Sequence, residues 1–426
     1  MTHVRKNTVS YALLVAICIF QFGVFEQSNT NPIGIRYTGE LYLAICLGFT
    51  TLFMLSTPGF RRNDYNIGLA FCFFSAFTFV LLPALFAELF YRQPLFFGLI
   101  EERRVLYCFS FVLLLYFSKR VSAAQFESIV LAVGLLSVIL SWMFYFKMLP
   151  DLRDEVLDLS RPGRASPGAG AIIFSYCFCV YFAGKGRSPI NGALKSKLLY
   201  AFLAFVFLAT IVFVMQTRQV IVVCAVFTLL VLKSQSIKPI VFGSLILFPL
   251  MANPHLLEAL GLNIDFYMNS VEEGPTDDVR GNTITAIMNH LDEYNWVPSG
   301  SLSLMWNGGF RQYFSNYFFL SDVGVIGTIF RFGFLAFAII PIALFIHYKA
   351  AIKLNSNLDF TLAVFLAFLT IWPLQGIFEY QGTTAFLLVV QALKTHHQRV
   401  VSSRLEEAPM IGSSRYRYGY VKPSLG

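Results

Sequence analysis

Residues 316–333 read NYFFLSDVGVIGTIFRFG, and the change of character inside this stretch decides the fold. Behind it, back to Asn253, lie roughly 65 polar, turn-rich residues, a loop length that is uncommon unless the loop has work to do. Ahead of it, from Asp322, the chain turns apolar for about 25 residues, enough for a helix to cross a hydrocarbon core of about 30 Å. One arginine interrupts that run. Arg331 stands nine residues after Asp322, about 14 Å further along a helix. A lone guanidinium at that depth is expensive, so it is expected to face the bundle and meet a carboxylate. Glu26, Glu40, Glu88 and Glu379, all near span ends on the same side, are the expected partners for that salt bridge.

The same alternation of apolar runs and short links extends outward in both directions. The 426 residues are 56% hydrophobic and 13% charged, with a mean hydropathy of +0.64, whereas a soluble chain is about a quarter charged. Backbone groups in lipid need internal partners, and the period-two pattern of a barrel is missing, so helices are expected. The fold class is an all-α polytopic membrane protein of about twelve spans. They lie near residues 8–25, 38–56, 67–90, 105–118, 126–147, 168–184, 198–215, 219–232, 237–251, 322–347, 359–378 and 383–394. The bundle takes residues 1–400, with one large loop at 252–321, and a basic tail at 401–426 reads as disordered. The first span follows Arg5 and Lys6 without a small-residue cleavage site and reads as a retained signal anchor. All seven cysteines fall within spans and read as small hydrophobes.

Charge fixes the expected orientation. With the N-terminus in the cytoplasm, 20 of the 32 basic residues but only five of the 24 acidic ones lie in cytoplasmic segments, as the positive-inside rule asks. The net charge of +8 is then a topology signal and not a sign of nucleic acid. Both termini are cytoplasmic and the large loop is outside. Of the 12 outward basic residues, 11 are arginine and one is Lys147. Topology needs only positive charge; arginine's planar fork also suits phosphate or carboxylate oxygens. Pairing with outer acidic groups and binding of an anionic partner both remain open on this count.

Three outward links carry the residues suited to chemistry. In LPDLRDEVLDLSRPGRASPGAGAIIF (149–174), Arg161 and Arg164 bracket Pro-Gly just before a helix start, where free N–H groups favour anions; exposed turn arginines are the plain alternative. In MQTRQ (215–219), Arg218 sits at the outer surface, either snorkelling or facing a wet cavity. In the large loop, TITAIMNHLDEY (283–294) places Ile284, Ile287, Met288 and Leu291 on one face of an amphipathic helix that lies on the membrane or caps the bundle. Arg280 precedes it, and His290 and Asp292 fall on its polar side. His290 has the ordinary pKa of a general base, although a surface histidine fits as well. After PSGSLSLMWNGGF (298–310), Arg311 opens an aromatic series, Tyr313, Phe314, Tyr317, Phe318 and Phe319, that suits an interfacial belt or sugar stacking. Glu379 in FEYQGTT is placed to close the same cavity. There is no P-loop, dinucleotide fingerprint, metal-ligand cluster or nucleophile elbow, and His396-His397 is too little for a metal; no cofactor is expected.

An Arg-Pro-Gly-Arg loop leading into a span, a Thr-Arg pair between two spans and a large outer loop closing on Ser-Asp-Val-Gly-Val-Ile-Gly come in that order. This arrangement resembles the O-antigen polymerase/O-antigen ligase superfamily, especially Wzy-type polysaccharide polymerases, over most of residues 150–380. The resemblance implies a glycosyltransferase with a C-type membrane bundle in the bacterial inner membrane, its site facing the periplasm. The substrates would be an undecaprenyl-diphosphate-linked donor and acceptor; the lipid diphosphate is itself the leaving group, so neither metal nor nucleotide sugar is implied. A flippase and a chain-length regulator would be partners. Arg164 and Arg218 match the family's outer arginines facing the diphosphate, and Arg280 is a third. Arg161, Arg311, Asp322 and Glu379 complete the substrate-binding set. Ligases of the superfamily place a histidine late in the large loop; here that part reads SNYFFLSD, without one. This favours a polymerase and leaves the base unassigned, with His290 displaced from the family position. The alternatives are a ligase acting on lipid A-core, a flippase or transporter of the lipid-linked glycan, and a sensor or scaffold. A transporter would be expected to show internal repeats, which are not seen. On this reading the large loop is a movable lid or an acceptor wall.

Overall fold

A computed structural model describes residues 2–27, 31, 34–149, 164–232, 279–314, 318, 320, 323–352, 360–372 and 381–407. Their regular structure is helical. In chain order the helices are α1 (Thr2–Gln21), α2 (Thr38–Ser56), α3 (Asn66–Tyr91), α4 (Leu95–Glu101), α5 (Ser110–Ser118), α6 (Ala123–Tyr145) and α7 (Ala169–Lys185). Then follow α8 (Lys197–Met215), α9 (Arg218–Val231), α10 (Val279–Glu293), α11 (Gly324–Phe332), α12 (Ala336–Ile352), α13 (Phe360–Leu369) and α14 (Gln381–Glu407). Five of these runs, α2, α3, α6, α8 and the stretch Gly324–Lys349 formed by α11 and α12, are long and apolar enough to cross a bilayer. The chain is an all-α, membrane-embedded protein.

The helix ends follow local chemistry. Ser122 and Gln125 form a reciprocal cap, with Gln125 N–H donating to Ser122 Oγ at 3.2 Å and Ser122 N–H to Gln125 Oε1 at 2.9 Å. This starts α6 three residues before the expected span, because a capping box satisfies two orphan donors at once. The expected fourth span does not form one helix: Glu102–Phe109 is a 3-10 stretch and only Ser110–Ser118 is α-helical. The expected tenth span breaks at Gly333, which holds φ +52. The expected tail begins inside α14, whose helix runs on to Glu407. The expected ninth span lies outside the described residues.

α7 stands at the centre. Its Phe174, Phe178 and Phe182 follow at i+4 spacing, which puts them on one face, and each meets a ring from a different helix. The centroid distances are 4.5 Å to Phe386 of α14, 4.6 Å to Phe360 of α13 and 4.7 Å to Tyr200 of α8. Lipid gives helices no solvent-driven reason to associate, so such close ring packing carries the assembly. All seven cysteines are buried free thiols, filling the core as small apolar groups.

Polar contacts sort by end. Asp64 is gripped by Lys119 and by Arg399 of α14, and Lys195 Nζ lies 2.8 Å from the buried Glu127, which also accepts from Ser188. These residues all belong to the segments with the basic excess. Arg103–Glu40 at 3.4 Å and Arg331–Glu102 at 3.1 Å join residues of the opposite set. Each described ion pair therefore joins two residues that the charge pattern assigns to the same side.

Candidate functional site

Two of the sequence-selected arginines come together where two helices begin. α8 ends in a wide π turn, Ile211–Met215, and the chain then reverses at Gln216, which holds the left-handed φ of 50°. Thr217 is extended and Arg218 is the first residue of α9. Residues 164–168 run alongside this reversal. Ala165 N–H donates to Val214 O at 3.3 Å, and Arg164 Nη2 donates to Thr217 Oγ1 at 3.5 Å. Gly168 then turns left-handed to start α7, and α7 packs on α9. Arg164 is half-buried and Arg218 exposed. The Arg164 guanidinium thus reaches the residue that precedes the 14-residue α9, whose first residue is Arg218, and Arg164 itself lies four residues before the turn that opens the 17-residue α7. Free N–H groups and the helix dipole favour negative charge at such ends, and the arginines add forked donors for phosphate oxygens.

Residues 297–303, VPSGSLS, thread into the bundle between α3 and α11. Ser299, Ser301, Leu302 and Ser303 are buried. The break at Gly333 leaves carbonyls at the end of α11 without helical partners, and the loop supplies donors to them. Ser299 N–H reaches Phe330 O at 3.3 Å and Gly300 N–H reaches Arg331 O at 2.9 Å, while Phe334 N–H donates to Trp296 O at 2.8 Å. On the other side Ser301 N–H donates to Pro83 O at 3.1 Å. Gly300 (φ +73) lies so close to Pro83 O and Ala87 N that no Cβ fits. α3 carries a π turn, Phe77–Leu81, immediately before this docking point; such turns often mark functional segments.

A buried charge network locks the threaded segment. Arg331 Nε lies 3.1 Å from Glu102 and donates to Ser301 Oγ at 3.0 Å, and Ser301 in turn donates to Glu102. Gln93 clamps the same stretch: its amide donates to Ser301 O at 3.1 Å and its Oε1 accepts from Ser303 N–H at 2.7 Å. Arg331 therefore faces the bundle and meets a carboxylate, as its depth demands. Among the described residues the partner is Glu102, not Glu26, Glu40 or Glu88, because the 3-10 stretch turns Glu102 inward beneath the loop; Glu379 lies outside the described residues. Residues 296–303 are thus pinned between α3, the 3-10 stretch and the end of α11.

His290 also departs from its expected setting. α10 buries Thr283, Ile287, His290 and Leu291, whereas Met288 is exposed, so the apolar face is rotated and His290 points inward. Its Nε2 is 2.9 Å from Ser299 Oγ. The rings of Phe90, Tyr294, Phe314 and Phe330 surround it at 4.6–5.4 Å. Burial pushes its pKa below the usual histidine value, with Glu293 pulling partly back, so the imidazole is neutral near pH 7. The residues around His290 form a hydrophobic cluster separate from the one that holds Ala165 and Val214. α10 packs against α11.

Arg280 lies in the first turn of α10 and Arg311 in the single helical turn Phe310–Tyr313. Both are exposed, and among the described residues neither has a hydrogen-bond or ion-pair partner. Arg161, Asp322 and Glu379 lie outside the described residues. Among the described residues no group of three or more His, Cys, Asp or Glu is placed to hold a metal. The sequence reading missed the Glu101–Arg104 run, EERR. Its signal was four charges abutting an unusually short apolar span, which implies that some are buried and paired. Comparison with protein-family models, curated proteins and solved structures finds no match to this chain.

Proposed function

We propose that the chain is a membrane glycosyltransferase that polymerises lipid-linked polysaccharide repeat units. It would transfer a growing glycan from undecaprenyl diphosphate onto a sugar of a second lipid-linked unit. In this reading about twelve spans hold the protein in a bacterial inner membrane, with both termini cytoplasmic and the arginine site facing the periplasm. The bundle is of the C-type glycosyltransferase kind. The observation that carries the reading is the Arg164–Thr217 contact, which sets Arg164 beside Arg218 at two converging helix starts.

In the proposed reaction the diphosphate rests on Arg164, Arg218 and the N–H groups that open α7 and α9. An acceptor hydroxyl oxygen attacks the anomeric carbon, the bond from that carbon to the diphosphate oxygen breaks, and the electron pair leaves with the diphosphate. Charge grows on the leaving group, and donors already held in place stabilise it without reorganising. The threaded segment 296–303 serves as the wall against which the glycan lies. Arg280 and Arg311, exposed on the loop, are available to the substrate's outer part.

Deletion of the gene followed by gel separation of surface glycans tests this reading. Single repeat units on the final acceptor, with long chains lost, are expected. Accumulation of lipid-linked polymer would instead indicate a ligase, and single-unit intermediates facing the cytoplasm a flippase.

A further inference from the structure

The link between α1 and α2 forms a second polar cluster that the arginine site leaves unused. Asn31, buried, fastens the turn after α1: its amide donates to the carbonyls of Gly23, Val24 and Glu26 at 3.4, 3.0 and 2.7 Å. Ile35 N–H and Thr38 Oγ1 both donate to Phe25 O, at 2.8 and 3.0 Å. The turn so fixed presents the half-buried Glu26 to the start of α2 and to the 3-10 stretch after α4. A side chain at Gly39 would place Cβ 2.6 Å from Tyr107 Oη and 2.8 Å from Glu26 Oε1, so the glycine is what lets those two groups approach α2. Arg104, Glu40 and Arg103 are near enough to act on the Glu26 charge, and Arg103 pairs with Glu40. Among the described residues the Glu26 carboxylate itself has no hydrogen-bond or ion-pair partner.

This turn is packed against the arginine site. Val24 is fully buried, and a Cβ on Gly168 would lie 2.8 Å from its Cγ2. Phe22 covers Gly170 and meets Phe174 at 5.9 Å. Glu26 is two residues beyond Val24 in the same turn, where its N–H donates to Gly23 O at 3.2 Å. Arg164 is four residues before Gly168. The two polar groups therefore belong to neighbouring elements at one end of the bundle.

We infer that Glu26, walled by Arg103, Arg104, Glu40 and Tyr107, is the acceptor subsite of the proposed transfer: it receives a sugar hydroxyl and takes its proton as the glycosidic bond forms. The inference rests on the glycosyl-transfer reading. A sugar presents hydroxyls that both donate and accept, and a surface of carboxylates, guanidiniums and a phenol matches them. The proton leaves the hydroxyl for Glu26 Oε as its oxygen bonds to the anomeric carbon, and the electron pair of the broken bond departs on the diphosphate. Burial raises the Glu26 pKa, Arg104 and Arg103 pull it down and Glu40 adds to the rise. The net upward direction makes it a stronger base than an exposed carboxylate.

The test uses full-length protein in nanodiscs, lipid-linked single repeat units from the deletion strain as substrate, and undecaprenyl diphosphate as a binding probe. Glu26→Gln is expected to slow chain extension by about 10²–10⁴-fold while binding undecaprenyl diphosphate within about twofold of wild type. Arg218→Ala is expected to lose that binding. Extension by Glu26→Gln within about threefold of wild type overturns the acceptor subsite and leaves the arginine reading standing. Loss of undecaprenyl diphosphate binding in Glu26→Gln also overturns it, because the carboxylate then serves the donor. Wild-type protein that neither polymerises nor binds the probe overturns both. Should Glu26→Gln aggregate, the wild-type pH–rate profile decides: the rate should fall on acidification with a midpoint above the ordinary carboxylate range, and a flat profile from pH 8 to about 5 overturns the assignment.

Discussion

Replacing Arg331 by methionine tests the network that holds the large loop in place. The two charged side chains are 12% and 7% exposed and 3.1 Å apart. At an effective dielectric of about 20, charges at that separation attract by about 5 kcal/mol. Desolvation offsets most of that gain, so the pair as a whole contributes little, yet removing one member strands the other. Arg331→Met leaves Glu102 buried with only the Ser301 hydroxyl, and Glu102→Gln removes the Glu102 charge from beside the buried Arg331. Each single change should cost about 3–5 kcal/mol. The double variant should cost clearly less than the sum, with a coupling of at least about 2 kcal/mol. Unfolding in detergent by SDS titration measures all four corners of the cycle, and protease cleavage within residues 296–313 reports release of the loop. Additivity within about 0.5 kcal/mol would refute the reasoning, since the two charges would then not be sharing one buried site.

Three further outcomes follow from named contacts. Gly300→Ala puts a Cβ into Pro83 O and Ala87 N at a left-handed backbone angle, and should lower thermal stability by about 3 kcal/mol. His290 has a lowered pKa, so its contribution is present above the unfolded value of about 6.5 and is lost as pH falls through the folded value. Protease sensitivity of α10 should therefore rise between pH 7.5 and 5.5, and His290→Gln should abolish that dependence. For Asp64, burial raises the pKa, but Lys119, then Arg399 and His396, outweigh it and hold the carboxyl below its usual range. Its stabilisation is thus present above about pH 4 and fades on acidification; Asp64→Asn should cost about 1–2 kcal/mol and reduce hydrogen-exchange protection of the last turns of α14.

The all-helical, membrane-embedded character was legible because apolar runs longer than about 18 residues have few other uses. The demand that Arg331 be paired was legible for the same reason, since lipid makes it expensive to leave alone. Which carboxylate meets it was not. The sequence places Glu102 in a link, and only the 3-10 stretch, set by packing against α2, α3 and α14, carries it beneath the loop. The helix at 279–293 followed from its spacing, but Met288 and His290 exchanged faces. Four aromatic rings, Phe90 of α3, Phe330 of α11 and Tyr294 and Phe314 of the intervening turns, enclose the imidazole, and a helical wheel contains no information about rings on other elements. The threading of VPSGSLS was hidden because its polar composition reads as solvent-exposed; its serines are instead buried against the backbone and side chains of other elements. Arg164 and Arg218 were selectable as arginines before or at helix starts. Their meeting depended on the π turn and the reversal at Gln216.

The central claim is that Arg164 and Arg218 serve one leaving diphosphate. It is tested most directly by chain extension with purified full-length protein in nanodiscs, supplied with lipid-linked repeat units, using Arg164→Ala, Arg218→Ala and Arg218→Lys. All three should remain folded and inserted. The two alanine variants should extend chains at least about 10²-fold more slowly than wild type, with Arg218→Lys intermediate because it keeps charge but not the fork. Normal chain lengths and rates from folded alanine variants would contradict the account.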